Sequence, residues 1–277
     1  MLVNSHGRAA SLWPSFAVVA GLIFVAIRIV FLGRAPVPSQ GTQGAGSTLM
    51  ELLREGVPTS VAANGEPNPV QRIFYFHVPS AFMTFLAVGI VFVCSILYLA
   101  TRRRAFDRVA RASTELGMLF CTIVLVTGPI WAKPEWGRAW TWEPRLNLTA
   151  ILWLIFLGSV LVRLSSDNRD QAARFCSALG IVALPVVLMI YKSVELWGGI
   201  HPRPTILRNA PQSDLPIKIG FWLCLASFFA LFLWLVTLRT RLGSLEERLE
   251  DLRVVSDLSE AEGSNELEGI EPERGTG

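Results

Sequence analysis

Two of the three histidines stand where an imidazole can act on something other than its own helix. His77 opens a long apolar run, in FYFHVPSAF, and His201 follows the end of another, in LWGGIHPRP. Between them lies WGRAWTWEPRLN, in which Trp136, Trp140 and Trp142 alternate with Arg138, Glu143 and Arg145. His6, near the N-terminus, has the setting of a solvated tail residue. Imidazole ligates several metals. Two imidazoles with no neighbouring cysteine or carboxylate cluster are too few for zinc. They are the right number for the axial positions of a haem, whose porphyrin supplies the other four ligands.

The tryptophan segment suits the same ligand. A haem has a flat aromatic face and two carboxylates at one edge. Indoles pack on the face, and arginines pair bidentately with carboxylates. Besides Arg138 and Arg145, Arg72 lies shortly before His77 and Arg203 shortly after His201. Tryptophans also form belts at membrane surfaces, and arginines also meet lipid headgroups. Both uses stay open for these residues.

These residues need elements to carry them. Of the 277 residues, 52% are hydrophobic and only 17% charged, which argues for a polytopic all-α membrane protein. Six apolar segments, near 13–32, 78–100, 113–132, 146–163, 175–193 and 219–238, approach the ~20 residues that cross a bilayer as a helix. Arg28, near the end of the first, can snorkel to the interface. That segment has a weak basic leader, and a cut after Ala35 would leave proline next, so it is expected to remain as a helix rather than a cleaved signal. TRRRAFDRVAR, with five arginines in eleven residues, marks an inner connection. Arg163, Arg169 and Arg174 mark another, and Arg239 and Arg241 follow the last span. Both termini are then cytoplasmic, and connections 33–77, 133–145 and 194–218 lie outside, carrying both histidines and the tryptophan segment to one face.

Residues 1–12 are expected to form a short cytoplasmic N-terminus, 13–243 the membrane domain and 244–277 a cytoplasmic tail. The tail holds 11 of the 22 acidic residues and three arginines, leaving a balance of +11 on the rest. Leu245, Leu249 and Leu252 predict a short amphipathic helix there, followed by a disordered acidic end. The outer connection begins with linker composition, GRAPVPSQGTQGAGS, and then offers a helical candidate, STLMELLREG, with Ser47 as N-cap. The four cysteines stand singly in apolar runs, with neither CxxC nor CxxCH. That argues against a disulfide framework, a thioredoxin-like site or covalently attached haem. There is no GxxxxGK[ST] nucleotide loop and no nucleophile–base pair, so a catalytic site or ATP use of the chain's own is not expected.

WGRAWTWEPRL resembles the tryptophan-rich "WWD" signature of the haem-handling proteins of cytochrome c maturation. VQRIFYFHVPSAF, TGPIWAKPEWG and LWGGIHPRPTIL resemble segments of the haem exporter protein C (CcmC) family, and the resemblance covers roughly residues 70–240. It implies a protein of the bacterial inner membrane that holds haem b non-covalently on its periplasmic face. His77 and His201 would be the axial ligands. Trp136, Trp140 and Trp142 would form the platform, and Arg72 and Arg145 match basic positions of the motifs. The implied partners are the haem chaperone CcmE, which receives the haem, the ABC-type ATPase CcmA with its membrane subunit CcmB, the small single-span CcmD, and membrane lipid, with no nucleic acid. The chain departs from the family at Ala139-Trp140, where paired tryptophans are usual, and at Glu143-Pro144, where aspartate and alanine are usual. Glu-Pro leans toward the sister CcsA-like synthases, which ligate haem to apocytochrome. Those normally have more spans and histidines within them. A bis-histidine cytochrome subunit of a quinol-linked oxidoreductase would also bury its histidines within spans. A haem-free permease would need an intramembrane polar pathway, for which only Arg28 and Glu115 are available.

Overall fold

The computed structural model describes residues 12–32, 69–201 and 215–268. Helix α1 (Leu12–Ile27) continues as a π-helical turn (Arg28–Leu32), and a 3-10 turn (Pro69–Ile73) leads into α2 (Phe74–Thr101). Then follow α3 (Arg104–Trp136), α4 (Pro144–Ser165), α5 (Arg169–Trp197) and α6 (Leu215–Glu268). The described residues contain no strand. Five helices, α2 to α6, are long and apolar enough to cross a membrane, and α1 is a shorter apolar helix. The chain is an all-α polytopic membrane protein. His6, the Ser47 helix candidate, Arg203 and the final residues lie outside the described residues.

The helices outrun the apolar segments that announce them. α3 has 33 residues, about 50 Å at the usual rise, and its first turns carry Arg104, Asp107, Arg108 and Arg111. Backbone hydrogen bonding continues past the point where side chains become polar. Pro129 and Pro134 lie inside α3 without ending it. It stops at Gly137, whose φ of 75° is easy only for glycine and whose N–H reaches Lys133 O at 2.9 Å.

Short connections force α2 to α5 to alternate in direction. Arg102 in the left-handed region turns α2 into α3, and the Asn168 side chain accepts from Gln171 N–H to start α5. The beginnings of α2 and α4 and the ends of α3 and α5 thus share one end of the bundle.

Val88, Cys121, Leu152, Phe156, Ala183 and Val187 knit these four helices into one core. Phe232 and Val236 of α6 pack with Met83, Ala87, Ala112 and Phe120 of α2 and α3. Ala26, Ile29 and Val30 close against Tyr75, Phe221 and Cys224. Lipid tails are as apolar as leucine, so close packing rather than water exclusion must hold such helices together. Gly180 shows this: a Cβ there would stand 2.6 Å from Val91 Cγ1 and 2.7 Å from Ser95 Oγ. At the bundle end remote from His77, Arg163 clamps α4 to α3 through bonds of 2.7 and 3.1 Å to the two oxygens of Asp107.

The described residues fall into two units, up to Val236 and from Thr237. In the second, Leu245, Leu249 and Leu252 are exposed at helical spacing, and Arg239 Nη1 lies 3.4 Å from Glu246 Oε1. Helix persists to Glu268, beyond the short amphipathic stretch expected here. The segment is rich in Leu, Glu and Arg, all good helix formers, and meets no proline before Pro272.

Candidate functional site

A cavity of about 470 Å³ opens at the shared end of α2 to α5. Its lining includes His77, Trp136, Arg138, Trp140, Glu143, Arg145 and His201. Residues from the start of α2, the end of α3, the α3–α4 loop, the start of α4 and the segment after α5 therefore converge on one volume. Its size is ordinary for a small-molecule site.

His77 sits in the first turn of α2 and is buried. Its Nδ1 lies 2.9 Å from Thr127 Oγ1, and the Thr127 hydroxyl donates to Ile123 O at 2.7 Å. Gly128 lets α3 approach this ring, since a Cβ there would stand 3.3 Å from His77 Cε1.

His201 is delivered by Gly198 and Gly199, with φ of 73° and 141°. Gly199 is required twice over. Its φ disfavours any side chain, and a Cβ there would collide with the Glu143 carboxylate. Glu143 Oε2 accepts from Ile200 N–H at 2.9 Å, and its Oε1 lies 3.4 Å from His201 Nδ1. Burial first, and then the positive charge of Arg145, push the His201 imidazole down to about 3, despite the nearby carboxylate. The ring is therefore neutral, with a lone pair available, at physiological pH.

Glu143 occupies the N-cap position of α4, with Pro144 in the first helical position, where its missing N–H costs nothing. The Glu143 carbonyl accepts from Leu146 and Asn147 N–H, both at 3.1 Å. Its side chain makes no cap bond to α4 and turns across to Ile200 instead. The Glu-Pro pair thus starts the helix and spans the gap to the His201 segment.

Aromatic rings link the two imidazoles. His77 to Trp131, Trp131 to Trp136 and Trp136 to His201 are separated by 5.8, 5.8 and 5.9 Å between ring centroids. Trp131 lines the cavity and was not singled out from the sequence. Its position five residues before Trp136, in GPIWAKPEW, was the available signal. Thr127 was likewise missed, because a threonine in an apolar helix ordinarily bonds its own backbone.

The cavity has unspent donors. Trp131 Nε1, Trp140 Nε1 and Arg145 Nη1 are buried with no hydrogen-bond partner among the described residues, as is the Thr141 hydroxyl. Buried polar atoms are nearly always paired, so these positions fit a ligand bearing acceptors. Arg145 also lies in the first turn of α4, where the helix dipole disfavours a cation, so its place is not explained by helix stability. Two predicted residues stand apart from the lining. Trp142 is 78% exposed, at a φ of 52°, with its ring 6.0 Å from Trp140. Arg72 is half-buried in the 3-10 turn before α2.

The profile of the CcmC family, Heme exporter protein C, matches residues 58–255. The chain belongs to the CcmC family. It is 30% identical to the Heme exporter protein C of Haemophilus influenzae, over 64% of this chain and 72% of that protein. It is 33% identical to the Heme exporter protein C of Paracoccus denitrificans, over 65% and 76%. For the Rhodobacter capsulatus Heme exporter protein C the identity is 30%, over 70% and 80%. The CcmC match spans every residue of the cavity lining, from Phe74 to His201. Among features of a CcmC chain, the Glu143-Pro144 pair here acquires a local physical reason: a proline at the first helical position, and a glutamate whose carboxylate reaches Ile200 N–H.

Proposed function

We propose that this chain binds haem b non-covalently in the cavity and hands it to the chaperone CcmE for cytochrome c maturation. The observation that carries the reading is the convergence of two imidazoles, 124 positions apart in sequence, on one cavity with indole walls and buried unpaired donors. His77 and His201 would hold the iron. Trp131, Trp136 and Trp140 would bear on the macrocycle, and Arg145 with the indole N–H groups would take the propionates. Arg138 would serve at the rim, and Arg72 nearby at the membrane surface. The exposed Trp142 belongs to the edge presented to the partner. The lysine and arginine bias supports this face lying outside with both termini cytoplasmic, and in a bacterial inner membrane that face would be the periplasmic one. CcmA and CcmB would supply ATP coupling, with CcmD in the same assembly. The chain's own part is binding and release, so the iron bonds must be reversible.

Co-expression with CcmE and the other Ccm components tests this. Affinity-purified CcmE should carry covalent haem with the wild-type chain, and less than about a fifth as much with Trp136→Ala/Trp140→Ala, given that an aromatic ring contact is worth about 0.5–1.5 kcal/mol beyond the area it buries. Undiminished haem on CcmE would overturn the reading. The Glu143-Pro144 pair favours a second reading, a CcsA-like ligation subunit. In that case haem would reach apocytochrome with CcmE deleted.

A further inference from the structure

The two imidazoles are not held alike, and the difference bears on release. This inference rests on the haem-ligation reading above. A threonine hydroxyl has one proton. Thr127 Oγ1 lies 2.7 Å from Ile123 O and 2.9 Å from His77 Nδ1; with its proton on the carbonyl it accepts from His77, which puts the ring hydrogen on Nδ1. The lone pair is then on Nε2. Across the cavity the same logic holds with a different acceptor. Glu143 Oε2 is taken by Ile200 N–H, and Oε1, buried with no hydrogen-bond partner among the described residues, lies 3.4 Å from His201 Nδ1. A carboxylate offers acceptors only, so a hydrogen on His201 Nδ1 is the arrangement in which this contact attracts, and it leaves the lone pair on Nε2.

We propose that Thr127 and Glu143 are positioning residues which impose the Nδ1–H tautomer on both ligands. We further propose that their unequal acceptors make His201 the tighter iron ligand and His77 the one that yields first. A carboxylate behind an imidazole raises its donor strength, as in carboxylate–histidine–metal arrangements, and a neutral hydroxyl does so much less. The 3.4 Å separation at His201 is short of a formed hydrogen bond, and the bond would close when Nε2 takes up the iron. In a haem held by both rings, the His77 bond would then be the weaker of the two.

The chain has only three histidines, so its ring nitrogens can be assigned individually by 15N NMR of the full-length protein in detergent, with His6→Ala to remove the third. His77 and His201 should both show protonated Nδ1 and unprotonated Nε2. Thr127→Val should mix the tautomers at His77 alone, and Thr127→Ser should restore them. In haem-loaded protein, Glu143→Gln should shift the midpoint potential upward and speed haem loss to excess apo-globin about tenfold, a usual cost of losing an outer partner of a ligand. Glu143→Asp should recover part of the loss. His77→Ala, retaining His201, should release haem more slowly than His201→Ala. A protonated Nε2 at either ring, or equal or reversed release rates, would overturn the proposal. So would an unchanged potential in Glu143→Gln. A wild-type protein with no low-spin bis-histidine spectrum would instead overturn the ligation reading itself, a separate outcome.

Discussion

Arg145 concentrates the chemistry of the site in one side chain. It stands at the wrong end of a helix for a cation, half-buried, with Nη1 unpaired in the cavity. A guanidinium so placed needs an anion, and the neighbouring carboxylate of Glu143 faces Ile200 and His201. Arg145→Ala should therefore leave the iron ligands and the Soret position unchanged while haem is lost to apo-globin about ten- to a hundredfold faster, the size of a lost charge-assisted bond of ~1.5–3 kcal/mol. Lysine at that position should recover only part, lacking the planar fork. An unaltered loss rate would remove Arg145 from the site. At this scale the sequence was informative for most polar and aromatic residues outside the apolar runs: His77, His201, Trp136, Trp140, Arg138, Glu143 and Arg145 reach the cavity, while Arg72 and Trp142 do not line it. It was silent on Thr127 and Trp131, which sit inside α3 and differ from ordinary membrane-helix residues only through what faces them. Composition cannot say which way an indole turns, so Trp142 could not be separated from Trp140.

The helices hold these residues in register through small side chains. Gly180 of α5 meets Val91 and Ser95 of α2, and Gly117 of α3 meets Phe156 of α4 and Ala87 of α2. The 2.6 Å approach at Gly180 leaves no space for a methyl group without moving Val91. Gly180→Ala should lower stability in detergent by about 1–3 kcal/mol, the usual cost of overpacking. Gly158→Ala, where nothing lies within 4 Å, should be neutral or stabilising by up to about 1 kcal/mol through helix propensity. Thermal unfolding followed by circular dichroism separates the two, and equal melting temperatures would mean that this contact does not set the packing. Helix number was legible because hydrophobic length has a physical threshold. Helix ends were not, because α3 runs well past its apolar stretch on both sides and passes through Pro129 and Pro134. The threshold reports where lipid is, not where backbone hydrogen bonds cease.

Over the whole molecule, alternation of α2 to α5 is what turns scattered motifs into a site. His77 and His201 belong to segments far apart in sequence, yet each lies at the same end of the bundle as the loop between α3 and α4. The topology needed for that was readable from the count of spans between the motifs. The ring-to-ring path from His77 through Trp131 and Trp136 to His201 was not, since it depends on helix rotation. The central claim is that these two imidazoles form one iron site. The direct measurement is the optical and EPR spectrum of the full-length protein purified in mild detergent from haem-replete cells, beside His77→Ala and His201→Ala. A low-spin bis-histidine signature in the wild type, lost or converted to high spin in each variant, is the predicted result. A wild type without haem, or one whose low-spin spectrum survives either substitution, would contradict it.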